Sequence, residues 1–118
     1  MKKEYRLTGN RSFQYIYKNG QRVNTKFFIL YIVEAATIKV GVSVSKKVGN
    51  SVVRSRAKRR LKEAFRTIIG NLKRGYNFVI VAKKEIVDAE FWEIKEEIKK
   101  ALSSRCDYIA EKKDEVSL

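Results

Sequence analysis

Three stretches of the chain repeat hydrophobic residues every third or fourth position, which is the period of a helix that packs on one face. They predict helices at residues 11–18, 51–69 and 88–102. In the first of these helices, Phe13 and Tyr17 stand about one helical turn apart. Asp88 is expected to cap the third helix, and Phe91 is expected to be one of its inward residues.

Three further stretches have the composition of β-strands. Residues 27–34 are apolar on both faces, which predicts a covered central strand, and residues 37–45 alternate between apolar and polar positions. The short link between these two strands predicts that they form an antiparallel pair. Another strand is predicted at residues 77–84, and a short edge strand is predicted near residues 21–23.

The order of these elements, α-β-β-α-β-α, predicts an α/β fold, a sandwich in which helices pack on a small mixed sheet. A length of 118 residues suits one domain over residues 1–118, with a frayed tail at about residues 111–118. No apolar run approaches the roughly 18 residues of a membrane helix, and no signal peptide is evident. We therefore expect a cytoplasmic protein with no membrane association, and we expect it to be monomeric.

Charge is the unusual property of the composition. The chain has 27 Lys and Arg against 13 Asp and Glu, a net charge of +14, with no His and one Cys. A disulfide framework is excluded, as are a zinc site of His and Cys ligands and any triad that uses His. Residues 46–74 hold eleven basic residues and one acidic residue, whereas residues 85–118 have a net charge of −4. This asymmetry indicates an extended polyanion as the partner of the middle segment.

The predicted helix at residues 51–69 carries most of this charge. Its apolar stripe leaves two flanks of cations: Arg54, Lys58, Lys62 and Arg66 on one, and Arg56, Arg59 and Arg60 on the other. Like charges one turn apart repel, so seven cations accompanied by Glu63 alone favour an external polyanion over a solvated face. In the preceding loop, Lys46, Lys47 and Asn50 stand beside the free N–H groups of a helix N-terminus, which suit an anion.

The run at residues 43–66, SVSKKVGNSVVRSRAKRRLKEAFR, closely resembles the signature of the bacterial ribonuclease P protein subunit. The resemblance covers nearly the whole chain, and further matches are Arg6-Leu7, Phe13, Tyr17, Gly20, Phe28 and Tyr31. One position departs from the pattern, because the family usually has Asn between the two arginines of its Arg-Asn-Arg core and Ser55 stands there in this chain. Contacts with RNA or metal ions at that position are therefore not carried over.

The resemblance implies a protein that binds a large catalytic RNA, which cuts the 5′ leader from precursor tRNA with Mg²⁺ held mainly by the RNA. It also implies that the arginine-rich flank faces the catalytic RNA and that a cleft between this helix and the sheet holds the single-stranded leader. The expected contacts to the catalytic RNA are Lys46, Lys47, Asn50, Arg54, Arg56, Arg59 and Arg60.

Single-stranded RNA binds where aromatic rings lie beside a cationic track. On that ground the candidate leader-binding residues are Phe13, Tyr17, Tyr31, Lys58, Lys62 and Arg66. The aromatic members of this set have an alternative interpretation, because a ring at helical or strand spacing is often a core residue.

The sequence lacks the groups that a protein nuclease needs. Hydrolysis of a phosphodiester requires a general base, or carboxylates that hold metal ions. Between Glu34 and Glu85 the only carboxylate is Glu63, so we expect no catalytic residue and no metal site in the protein. Two other classes of protein are alternatives. A ribosomal-type structural RNA-binding protein would share the basic α/β character without the contiguous motif, and a DNA-binding helix protein would have a second helix beside the basic one.

Overall fold

The computed structural model describes residues 5–106 and contains, over that range, three α-helices and four β-strands. In chain order they are α1 (Asn10–Asn19), β1 (Gln21–Asn24), β2 (Phe28–Glu34), β3 (Lys39–Ser43), α2 (Ser51–Arg66), β4 (Tyr76–Ala82) and α3 (Phe91–Arg105). Two 3₁₀ turns, Ile69–Asn71 and Lys84–Asp88, connect α2 to β4 and β4 to α3. The predicted element order and the predicted edge strand, which is β1, are confirmed; the predicted tail lies outside the described residues. No helix in the described range is long and apolar enough to cross a membrane.

The four strands form one mixed sheet in the order β1-β2-β4-β3. β4 is antiparallel to β2 and parallel to β3, and β1 pairs antiparallel with β2. The predicted pairing of β2 with β3 is therefore wrong, because β4 lies between them. β4 has apolar residues on both faces, and this composition suits an interior strand. The parallel β3–β4 pair requires a crossover connection, which α2 forms.

The two faces of the sheet pack against different helices, so the molecule has three layers. The face that carries Leu30 and Phe78 packs against α2 and α3 in the main hydrophobic core. Phe65 of α2 meets Phe78 in this core, with 5.0 Å between the ring centroids. The opposite face carries Val79, which packs with Ile16 of α1. α1 therefore lies on one side of the sheet, and α2 and α3 lie on the other.

α2 begins at the cap that the sequence indicated. The Asn50 side-chain oxygen accepts a hydrogen bond from the Val53 N–H at 3.0 Å, which satisfies one unpaired donor of the first turn. The helix ends at Arg66 rather than at residue 69, and Thr67 is its C-terminal cap. The chain then enters the 3₁₀ turn Ile69–Asn71, whose first residue is buried.

The start of α3 differs from the prediction. Asp88 is not its cap, because Asp88 lies in the preceding 3₁₀ turn and the helix begins at Phe91. Glu90 and Glu93 form a capping box in which each side chain accepts a hydrogen bond from the other residue's N–H. The buried face of the helix begins at Ile94, and Phe91 is exposed rather than inward.

The segment before α1 runs along the outer edge of β3. The Leu7 N–H donates to the Val40 carbonyl at 3.0 Å, and Arg6 forms an isolated parallel bridge with Val40. Leu7 is buried with Ile16 of α1 in the smaller hydrophobic cluster. This short stretch therefore links the edge of the sheet to the α1 layer.

Candidate nucleic-acid interface

α2 separates its apolar residues from its cations. Ala57, Leu61, Ala64 and Phe65 are buried in the main core. Among the described residues no charged side chain is buried, so the cations of α2 lie on its remaining surface. They form two flanks, which we name the Lys58 flank (Arg54, Lys58, Lys62 and Arg66) and the Arg59 flank (Arg56, Arg59 and Arg60).

Two open grooves run along the Lys58 flank and share Ser55 and Lys58. The first, of about 210 Å³, is lined by Val44, Ser51, Arg54, Ser55 and Lys58, and the second, of about 260 Å³, is lined by Ser55, Lys58, Arg59, Lys62 and Glu63. The Arg54 Nε atom is buried and has no hydrogen-bond partner among the described residues. Guanidinium groups pair well with phosphate, but a phosphate reaches this buried donor only if the Arg54 side chain moves.

Lys62 belongs to a group of three cations. Burial lowers the pKa of Lys62 first, and the positive charges of Lys58 and Arg6 lower it further. Lys58 and Arg6 therefore each lie close enough to repel the charge of Lys62, although Arg6 is far away in the sequence. A bound anion would remove this repulsion, so the group favours an anionic ligand.

Arg66 differs from the rest of the Lys58 flank because its charge is compensated. Its guanidinium donates to the Glu63 carboxylate and forms a salt bridge with it, and both side chains are exposed. This hydrogen bond lowers the pKa of Glu63 and raises the pKa of Arg66. An exposed pair contributes little stability, so a phosphate can compete for Arg66. The assignment of Arg66 to the leader stays a prediction.

The Arg59 flank contains one residue with a structural contact. Arg56 and Arg59 are exposed and are accessible to a large partner. Arg60 is half-buried and donates hydrogen bonds to the main-chain carbonyls of Ile86 and Ala89. Arg60 therefore links α2 by hydrogen bonds to the segment that precedes α3. The charge pattern did not indicate this role. Its contact with the catalytic RNA stays a prediction.

The loop before α2 presents two lysines beside the helix N-terminus. Lys46 and Lys47 are exposed in a turn that is closed by the Val48 N–H, which donates to the Ser45 carbonyl at 3.1 Å. Val48 is buried and anchors this turn in the core. Asn50 uses its side-chain oxygen for the helix cap, which leaves its amide NH₂ group to donate to a ligand.

Phe13, Tyr17 and Tyr31 form one aromatic cluster on the α1 side of the sheet. The Tyr17 ring centroid lies 6.5 Å from that of Phe13 and 5.1 Å from that of Tyr31, with edge-on geometry in both pairs. All three residues are half-buried and pack around the small core of Ile16 and Val79. The cluster therefore has one side in the fold and one side toward solvent, which is compatible with stacking on a base.

β3 connects the aromatic cluster to the Lys58 flank. The Phe13 ring packs directly over Gly41 in the middle of this strand. Val44, which follows the strand, lines the same groove as Arg54, and Arg6 bridges to the outer edge of the strand. Aromatic rings and cations therefore approach the same strand from different sides. Rings beside a cationic track are the arrangement that binds single-stranded nucleic acid.

Two basic residues of this surface were not among the predicted site residues. The positive charge of Arg6 is close enough to lower the pKa of Lys62. Arg22 in β1 is directly opposite Tyr31 in the antiparallel register, so both side chains of that pair are on the α1 face. Each is a single cation outside the basic run at residues 46–74, so nothing in the sequence marks it as a site residue. Contacts between distant segments bring them to the interface: Arg6 bridges to Val40 of β3, and Arg22 pairs with Tyr31 across β1 and β2.

Carboxylates do not converge on this surface. Over residues 5–106, no cluster of three or more His, Cys, Asp or Glu side chains is placed to hold a metal ion. Glu63 pairs with Arg66, and Glu34 pairs with Arg74 at 2.9 Å. The interface therefore offers charge pairing and stacking to a ligand.

Comparisons with known proteins agree with this description. Residues 1–105 match the family model described as ribonuclease P. The ribonuclease P protein component of Caldanaerobacter subterraneus is 41% identical over 99 residues, which cover 82% of this chain and 85% of the relative. That of Clostridium botulinum is 41% identical over 104 residues, which cover 80% of this chain and 83% of the relative. A solved structure of the Staphylococcus aureus RNase P protein has a TM-score of 0.78 at 28% identity, covering 89% of this chain and 98% of that one. The chain therefore belongs to the ribonuclease P protein family, the protein component of the tRNA-processing endoribonuclease that contains ribonuclease P RNA.

Proposed function

We propose that the aromatic cluster and the Lys58 flank together bind the single-stranded 5′ leader of precursor tRNA. The observation that carries this proposal is that both groups of residues contact β3 or the residue that follows it. Phe13 packs on Gly41, and Val44 shares a groove with Lys58. Stacking accepts any base, and cations pair with the phosphates that every leader has. Such a site suits an enzyme that processes precursors with different leader sequences.

Each class of residue has a defined role in this proposal. Phe13, Tyr17 and Tyr31 stack on bases, and Lys58, Lys62 and Arg66 pair with phosphates. Arg6 and Arg22 extend this set. The positive charge of Arg6 is close enough to lower the pKa of Lys62, and Arg22 is opposite Tyr31 in the β1–β2 register.

We assign the catalytic RNA to the Arg59 flank and to the loop before α2. Arg56, Arg59, Lys46 and Lys47 are all exposed. Asn50 and Arg54 complete this set at the first turn of α2, where Arg54 borders both surfaces. Arg60 supports it by holding α2 against the turn before α3.

The chemical step belongs to the RNA in this proposal. The chain has no His, and Glu63 is its only carboxylate between Glu34 and Glu85, so this basic stretch has a single carboxylate that can act as a base or help to hold Mg²⁺. Mg²⁺ is accordingly held mainly by RNA, and the protein contributes affinity for the precursor. We further propose that the protein is a monomer and acts in the cytoplasm.

Reconstitution with the cognate catalytic RNA tests this division of roles. Leader removal at low Mg²⁺ is measured with and without the protein, together with the affinities for precursor and mature tRNA. We expect the protein to raise affinity for the precursor and to leave mature tRNA binding nearly unchanged, because only the precursor has a leader. An equal gain in affinity for precursor and mature tRNA would contradict the proposed leader site. Cleavage by the protein without RNA would contradict the assignment of catalysis to the RNA.

A further inference from the structure

We propose that the solvent face of α1 is a second RNA-binding surface, which holds the part of the leader that extends 5′ beyond the cleft. We name it the Tyr15 surface, and it consists of Arg11, Gln14, Tyr15 and Lys18. The inference rests on the proposed leader site and extends it to nucleotides further from the cleavage point.

The Tyr15 surface combines an exposed ring with two cations. Tyr15 is 58% exposed, and Arg11 and Lys18, four residues before it and three after it, are exposed on the same helix face. An open groove of about 480 Å³ follows this face and is also lined by amide side chains. α1 contains no acidic residue, so no carboxylate of the helix competes for the two cations. A ring flanked by uncompensated cations fits a stacked base and its phosphates.

The ring of Tyr15 is not part of the hydrophobic packing of α1. The inward side of the helix is formed by Ile16, which is buried, and by Phe13 and Tyr17. An isolated exposed ring is common on protein surfaces and indicates nothing by itself. The inference therefore depends on the flanking cations and on the position of Tyr15 relative to the aromatic cluster.

The Tyr15 surface is continuous with the proposed leader cleft. Successive helical residues turn by about 100°, so Gln14 and Lys18 lie between Tyr17 and Tyr15 around α1. A strand that leaves the cleft across Tyr17 would meet Lys18 next and then the Tyr15 ring. Arg22, on the adjoining edge strand, supplies another exposed cation near this exit.

The position of α1 in the fold favours the leader over the catalytic RNA as the occupant. α1 packs on the sheet face opposite α2, the helix that carries the Arg59 flank. The leader, in contrast, already contacts α1 through Phe13 and Tyr17 in the proposed function. A leader that crosses Phe13 and Tyr17 reaches the Tyr15 surface by continuing around the same helix.

The test is the leader-length dependence of holoenzyme affinity for precursor tRNA. The short substrate has the shortest leader that shows the full effect of Tyr31→Ala, and the long substrate extends further in the 5′ direction. If one leader base stacks on Tyr15, Tyr15→Ala should weaken binding of the long substrate about fivefold or more and leave the affinity for the short substrate unchanged. Tyr15→Phe retains the ring and should match the unchanged protein. Trp92→Ala is the matched control, because Trp92 is 66% exposed but lies on α3, and it should affect neither substrate.

Two outcomes would overturn the inference. Equal weakening of short, long and leaderless substrates would make Tyr15 a contact to the catalytic RNA, and no weakening at any length would leave the Tyr15 surface without a ligand. Tyr31→Ala distinguishes these failures from failure of the proposed function, since it must weaken short and long substrates alike if the cleft is correct. Thermal unfolding of Tyr15→Ala should be unchanged because the ring is exposed.

Discussion

Gly41 occupies a position where any side chain would displace a ring of the proposed leader site. A Cβ at this position would lie 2.5 Å from Phe13 Cζ and 3.1 Å from Leu7 Cδ2, so the Phe13 ring would have to move. The backbone of β3 is thereby in direct contact with the aromatic cluster. Because Gly41 has no side chain, the Phe13 ring of α1 lies directly against β3.

We expect Gly41→Ala to lower the affinity of the holoenzyme for precursor tRNA by up to about tenfold, or 1.4 kcal/mol, because the Phe13 ring shifts without being removed. Binding of mature tRNA should not change. Gly70→Ala is the control, because no atom would lie within 4 Å of the added Cβ there. An affinity loss shared equally by precursor and mature tRNA would show that Gly41 does not act through the leader.

Arg60 and its neighbour Arg59 allow folding and binding to be separated at the residue scale. Arg60→Met should lower the free energy of unfolding by about 1–3 kcal/mol, because the carbonyls of Ile86 and Ala89 lose a charged donor. Arg59→Met should change stability by less than about 0.5 kcal/mol and should weaken binding to the catalytic RNA, because Arg59 is exposed. Denaturant unfolding and titration with the catalytic RNA measure the two effects. Equal stability of the two variants would contradict the structural role of Arg60.

At the scale of the element, α2 is predicted to determine the salt dependence of precursor binding. Lys58→Ala with Lys62→Ala removes two cations of the Lys58 flank, and each lost phosphate contact reduces the log–log salt slope by about 0.7 for a single strand. We therefore expect the slope for precursor binding to flatten by between about 0.7 and 1.4. Lys99→Ala with Lys100→Ala on α3 removes the same charge and should leave the slope unchanged. An equal flattening by both pairs would indicate a general effect of net charge and would remove the Lys58 flank from the leader site.

The elements that local signals define were predictable from the sequence. The period of Phe13, Ile16 and Tyr17 indicates α1, and the cap at Asn50 marks the start of α2. The start of α3 was misplaced because Asp88 and Glu90 are both acidic residues ahead of the same apolar stripe. The helix starts after Glu90, whose capping box allows Ile86 to be buried in the preceding 3₁₀ turn. Residue type alone does not show which of the two acidic residues permits that burial.

The arrangement of the elements depends on contacts between distant segments, and local patterns predicted it less well. The short connection between β2 and β3 suggested a pair, but β4 inserts between them because its apolar residues on both faces favour an interior position. The cations of α2 could be predicted as a site since they share one helix. Arg6 and Arg22 could not. Arg6 approaches Lys62 because Arg6 bridges to β3 and α2 packs against that strand, and Arg22 meets Tyr31 through the β1–β2 pairing.

At the scale of the whole molecule, the proposed leader site uses both faces of the sheet, with its rings on the α1 side and the Lys58 flank on the α2 side. The Arg59 flank of α2 is left for the catalytic RNA. The aromatic cluster lies on the α1 side of the sheet, whereas α2 and α3 lie on the other. Tyr31 is the residue that tests this division best, since it lies at the centre of the sheet face and is half-buried. Truncation of a core aromatic residue costs about 3–5 kcal/mol of stability, so the unfolding of Tyr31→Ala must be measured alongside its binding.

The most direct test of the central claim is the affinity of the Tyr31→Ala holoenzyme for precursor and mature tRNA, measured together with single-turnover cleavage at saturating enzyme. If Tyr31 stacks on a leader base, precursor binding weakens by about 1–3 kcal/mol, mature tRNA binding is unchanged, and the cleavage rate at saturation stays that of the unchanged protein. An equal loss of affinity for both RNAs by a variant that is folded would contradict the account. It would place Tyr31 in the fold or at the catalytic RNA, and the aromatic cluster together with the Lys58 flank would not be the leader site.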